Sequence, residues 1–82
     1  MKILPRIDTY ETYDIQCAAV LLCCNFELLS LDKTQPKKVK FIFKRKEKLD
    51  ELINKFWSDQ LKVKARSLLE NLKILKNRIY SD

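Results

Sequence analysis

Val39-Lys-Phe-Ile-Phe-Lys44 alternates apolar and polar residues with the two-residue period of a half-buried strand. Val39, Phe41 and Phe43 fall on one face, and Lys40, Ile42 and Lys44 fall on the other. A second apolar run, Phe26-Glu-Leu-Leu-Ser-Leu-Asp32, lies just upstream. Its alternation predicts Phe26 and Leu28 on one side and Leu29 and Leu31 on the other. Between them, Lys33-Thr-Gln-Pro-Lys-Lys38 reads as a connection, because Pro36 has no N–H for a ladder and suits a turn. The two strands are expected to pair as an antiparallel hairpin.

Working outward, the rest of the chain is helical in pattern. Residues 13–24 read as a first helix, with Thr12 or Asp14 placed to accept its orphan N–H groups. From Cys17 to Cys24 it is apolar all round, the mark of a helix buried on more than one side. Asn25 follows and, in a chain without glycine, is the residue best suited to a left-handed C-terminal position. Residues 46–58 form an amphipathic helix whose stripe is Leu49, Leu52, Ile53, Phe56 and Trp57. Glu47, Asp50 and Glu51 lie at the end that the helix dipole favours. Trp57 is expected to be the largest side chain of the core. Residues 63–80 form the longest helix. Ala65, Leu68, Leu72, Leu75 and Ile79 step by three and four, nearly a heptad seam. The seam has two readings, packing on its own domain or a helix–helix contact with a second subunit. Leu68, Leu72, Ile74, Leu75 and Ile79 are the candidate interface, and Ile74, opposite Leu72, favours a homodimer.

Residues 1–12, with Ile3-Leu4 broken by Pro5, read as a tail or loose edge segment ahead of a single domain over 13–80. The expected fold is therefore α+β: a two-stranded antiparallel β-hairpin with three helices, in the order α-β-β-α-α. Two strands seldom make a stable sheet alone, so the helices must supply the core or a second copy must extend the sheet.

Eighty-two residues allow one domain with a modest core. With no histidine, imidazole catalysis and histidine metal sites are excluded. With no glycine, phosphate-cradling glycine loops are excluded as well. No pair of carboxylates has catalytic spacing, and the acids sit at element ends where they cap or turn. The expectation is a protein that is not an enzyme, with no cofactor, no metal and no small-molecule substrate. Cys17, Cys23 and Cys24 are an odd count inside an apolar run, which reads as small buried hydrophobes in a reducing compartment. That run is far too short to cross a membrane and follows acids rather than a basic leader, so a cytoplasmic location is expected.

Charge is the remaining signal. The chain carries 17 Lys and Arg against 11 Asp and Glu, a net +6. The first 32 residues are net acidic, and the excess concentrates in 33–48, where Glu47 is the lone acid. Lys37, Lys38, Lys40, Lys44, Arg45, Lys46 and Lys48 form the candidate nucleic-acid-binding segment, because clustered ammonium groups bind phosphate as point charges. Phe41 and Phe43 are interleaved with them, but they share a face with Val39 and read as core rather than base-stacking rings. A lysine-rich solvated surface is the plainer reading of the same residues.

Read together, Tyr13-Asp-Ile-Gln-Cys-Ala-Ala19, Asn25-Phe-Glu-Leu-Leu29, Lys38-Val-Lys-Phe-Ile-Phe43, Phe56-Trp57, Leu61-Lys-Val63 and Leu72-Lys-Ile-Leu-Lys-Asn-Arg-Ile-Tyr80 resemble a small family of uncharacterised bacterial and phage proteins, a domain of unknown function. The likeness covers about residues 10–80. Members of that family often carry Gly where this chain has Asn25. The resemblance implies the α-β-β-α-α order and a phage or mobile-element setting, and it names no activity. Non-enzymatic nucleic-acid binding, or a nucleoprotein accessory role, is the leading expectation. A protein-interaction or homo-oligomerisation module using the last helix is the alternative.

Overall fold

The structure, a computed structural model, describes residues 9–81. Its elements are β1 (Thr9–Thr12), α1 (Ile15–Cys23), β2 (Leu28–Gln35), β3 (Lys38–Lys44), α2 (Leu49–Trp57) and α3 (Ala65–Tyr80). The class is α+β with three helices, as expected, but the sheet has three antiparallel strands in the order β1-β3-β2. The two-stranded hairpin is corrected by β1, which lies along the far side of β3 with Thr9 facing Lys44 and Thr12 facing Phe41. The element order becomes β-α-β-β-α-α. The physical reason lies in β3: its buried Phe41 and Phe43 place backbone N–H and C=O groups in the interior, and both ladder edges need partners. Of the expected 1–12 tail, residues 9–12 are this edge strand; the rest of that assignment falls on residues 1–8, outside the described residues.

The hairpin is tighter than the sequence suggests. Gln35 faces Lys38 across a two-residue turn of Pro36 and Lys37. β2 also carries two irregularities. Leu28 faces Phe43 while Ser30 faces Ile42, so Leu29 is an extra residue; between Asp32 and Gln35 the register slips once more. The Asp32 carboxylate fixes the second slip by accepting the Thr34 N–H at 3.0 Å. The first slip resets the alternation. Leu28 and Leu31 both pack on the core while Leu29 is exposed, which corrects the predicted Leu29–Leu31 pairing.

α1 forms where the sequence places it. Asp14 is the N-cap, its Oδ1 accepting from the N–H groups of Gln16 (2.8 Å) and Cys17 (3.2 Å), and Thr12 Oγ1 accepts from the Asp14 N–H. The helix ends in a Schellman motif. Asn25 sits at φ 69°, Phe26 N–H donates to the Leu21 carbonyl and Asn25 N–H donates to that of Leu22. α2 ends the same way, with Asp59 at φ 63°, Gln60 N–H on Lys55 and Asp59 N–H on Phe56. Without glycine, Asn and Asp fill the left-handed positions, since their short polar side chains tolerate them best.

The core gathers Cys17, Ala18, Ala19 and Leu21 of α1, Phe41 and Phe43 of β3, Leu49 of α2 and Leu75 of α3. The α3 stripe therefore belongs to its own domain. Leu75 is fully buried, and Leu68, Leu72 and Ile79 are partly buried and pack against the same cluster. Of the expected interface residues, Ile74 alone is exposed. Trp57 is corrected too: it is 63% exposed and touches Phe56 edge-on, with ring centroids 4.8 Å apart. At about 100° per residue, Leu49 and Phe56 lie within about 20° of each other, whereas Trp57 is turned about 80° from Leu49 to the flank of the stripe.

Two outcomes follow from this packing. In urea or guanidinium unfolding, Phe43→Ala should cost about 3–5 kcal/mol and Trp57→Ala under about 1 kcal/mol; equal losses would contradict the packing. Lys48, at φ 73° with no side-chain cap on α2, holds a left-handed backbone that costs a β-carbon-bearing residue about 1–2 kcal/mol. Lys48→Gly should raise stability by about 0.5–1 kcal/mol, after the freer unfolded chain is set against that strain. The check is a higher denaturation midpoint with unchanged m.

Candidate functional site

The pleat that buries Phe41 and Phe43 turns Lys38, Lys40, Ile42 and Lys44 to the opposite face of the central strand, with successive positions about 6.6 Å apart. The helices' apolar residues gather on the phenylalanine side. The outer side carries Thr9 and Glu11 from β1 and Ser30 and Asp32 from β2, in register with Lys44, Ile42 and Lys40. Glu11, Ser30, Lys38 and Lys44 are exposed there. The result is an open sheet face with a lysine row down its middle.

The seven candidate basic residues do not all stand free on it. Lys40 is half-buried and paired with Glu11 at 3.3 Å; its ammonium lies 5.6 Å from the Tyr13 ring centroid, and Asp32 faces it from β2. The Glu11 hydrogen bond and charge hold the Lys40 pKa above the usual lysine value. Arg45 is a latch. Its Nη1 donates to both Asp50 carboxylate oxygens (2.9 and 3.0 Å), its Nε reaches the Thr9 carbonyl at 3.5 Å, and its guanidinium lies 5.7 Å from the Tyr10 ring centroid. It ties β1 to the first turn of α2. Lys37 at the turn, Lys38 and Lys44 on β3, and Lys46 and Lys48 in the link to α2 are exposed. Lys38 and Lys44 are separated by about 20 Å of strand, so the row is elongated rather than clustered.

Sequence reasoning missed Tyr13, which it placed inside the first helix. Asp14 is the cap, so Tyr13 lies outside α1, 50% exposed, with the Lys38 ammonium 5.4 Å from its ring centroid. The signal was present: a residue ahead of an Asp cap does not belong to the helix face. Tyr13 joins Asp32, Thr34, Gln35, Lys38 and Lys40 around a polar recess of about 130 Å³. Thr34 hydrogen bonds keep the Asp32 carboxyl below its ordinary pKa, so it stays ionised. Lys33, also missed, donates to the carbonyls of Arg78 (2.8 Å) and Ser81 (2.7 Å) and closes the C-terminus of α3.

The three cysteines are free thiols. Cys17 is buried, and loss of hydration pushes its pKa up; Cys23 and Cys24 are half-buried, and Cys23 Sγ accepts from Asn71 at 3.4 Å. Among the described residues no group of three or more Cys, Asp or Glu side chains is placed to hold a metal ion. None of the described helices is long and apolar enough to cross a membrane.

No curated protein and no solved structure matches the chain. A family model does, over residues 7–81, which takes in β1 as well as the hairpin and all three helices. A chain matched from the edge strand to the end of the last helix belongs to that family, the domain of unknown function DUF5659.

Proposed function

We propose that this domain binds nucleic acid through its phosphates and catalyses no reaction. The observation that carries the reading is the lysine row on the open sheet face, continued by Lys37 at one end and by Lys46 and Lys48 at the other. Exposed ammonium groups along a strand can meet a polyanion, and phosphate contacts of this kind set position and affinity rather than sequence choice. The phage or mobile-element setting implied by the family resemblance suits a small accessory nucleoprotein. The self-association reading is weaker on this geometry. Leu69 and Ile74, the exposed large apolar residues of α3 besides Tyr80, are about 140° apart around the helix and make no continuous seam.

Titration with labelled single- and double-stranded DNA and RNA at two salt concentrations tests the reading. Binding should be weak in sequence preference and steep in salt. Changing Lys37, Lys38, Lys44 and Lys46 together to Gln should leave the fold intact. Each phosphate contact so lost flattens the log–log salt slope by about 0.9 on duplex and about 0.7 on single strands. Lys40→Gln should do less than Lys38→Gln, because Glu11 already holds the Lys40 ammonium. A parent protein that fails to bind at about 50 mM salt, or a fourfold variant that binds equally well, leaves only a solvated lysine surface.

A further inference from the structure

Tyr13 lines two recesses, one polar and one more apolar. One is the polar recess with Lys38, Lys40, Thr34 and the ionised Asp32. The other is a more apolar groove of about 300 Å³, lined by Tyr13, Pro36, Lys37, Val39, Ile79 and Tyr80, with buried Phe41 also in its lining. Tyr80, at the end of α3, is 84% exposed. The groove is therefore an apolar slot bearing two accessible phenol rings and a proline, and the hairpin turn sets one lysine against each recess: Lys37 in the groove and Lys38 in the polar recess.

Charge decides what fits. An apolar protein side chain would satisfy the groove but bring no anion to Lys37 or Lys38, neither of which forms an ion pair among the described residues. An unpaired base on a phosphodiester chain satisfies all three features at once: the ring stacks on a tyrosine, and the flanking phosphates meet Lys37 and Lys38. A base inside a duplex is already stacked and does not reach the slot. We infer that the Tyr13–Tyr80 groove takes an unstacked nucleobase, which makes single-stranded nucleic acid the preferred ligand. This rests on the nucleic-acid reading above and adds strand selectivity to it. The hairpin tip supplies phosphate contacts on both sides of the ring, and the groove supplies stacking that tolerates any base, because every base has a π-face.

The test compares a fluorescein-labelled deoxythymidine oligomer of about 15 nucleotides with a duplex of the same length by anisotropy, using the parent, Tyr80→Ala, Tyr13→Ala and Tyr13→Phe. The parent should prefer the single strand. Tyr80→Ala, at a side chain so exposed that the fold does not depend on it, should weaken single-strand binding about 5- to 150-fold, the loss of one stacked base, and leave duplex affinity unchanged. Tyr13→Ala should act likewise, and Tyr13→Phe should keep parental binding because the ring remains. Should Tyr13→Ala unfold, Tyr80→Ala alone decides. Single-strand affinity unmoved by the tyrosine changes, with the lysine-dependent salt slope intact, overturns the stacking inference and leaves phosphate binding standing. A parent that binds neither oligomer at low salt overturns both.

Discussion

Burial of Phe41 and Phe43 is the constraint from which the remaining arrangement follows. Two large rings on alternate residues of one strand have to face the same way, and both are essentially inaccessible here. A strand in that position has to be central, so it takes β1 on one side and β2 on the other. It also needs a roof, which α1, α2 and α3 provide through Leu21, Leu49 and Leu75. The same pleat sends Lys38, Lys40 and Lys44 to the opposite face. The exposed lysine row is thus a geometrical partner of the core, and changes that preserve one strand face leave the other free to vary.

Absence of glycine is the second constraint, and it shows in three places. Asn25 and Asp59 take the left-handed positions after α1 and α2, and Lys48 takes the one before α2. The first two are residues that accept this conformation at low cost; Lys48 is not. Around Lys48 the chain is held by Arg45 on Asp50 and by burial of Leu49, which together fix the entry of α2 whatever the local preference. Edge protection is likewise built without glycine. The two register slips in β2 and the brevity of β1 keep either edge from offering a long flat ladder to another chain.

The alternation of 39–44, the all-apolar run of α1 and the three-four stepping of α3 were legible because each is a local pattern with one period. Asp14 and Asn25 were legible as caps for the same reason. β1 was not: Thr9-Tyr-Glu-Thr12 has no apolar alternation, and its place comes from pairing with a strand some thirty residues away. The exposed Leu29 was hidden by a bulge, which inverts a period-two reading from one residue onward. Trp57 was misplaced because a 140°-wide stripe is wider than the contact α2 makes. At the site, the basic residues were legible as a run but their partners were not. Glu11 on Lys40 and Asp50 on Arg45 depend on register and on the α2 entry, and Tyr13 was absorbed into a helix that starts two residues later.

Those partners set the charge layout of the sheet face. Glu11 and Asp32 surround Lys40 in the middle of the row, so the centre of the sheet face carries no excess of positive charge. The ammonium groups that form no ion pair among the described residues lie toward the two ends, Lys37 and Lys38 at the turn and Lys44, Lys46 and Lys48 beyond it, about 20 Å apart along the strand. At physiological salt, charges that far apart are screened from one another by more than two Debye lengths. A compact anion therefore meets one end and gains little from the other. An extended polyanion spans both, and each end adds its own counterion release. For the nucleic-acid binding proposed above, this layout suits a chain-like ligand better than a small one, with the two Tyr13 recesses lying at the hairpin end of the row.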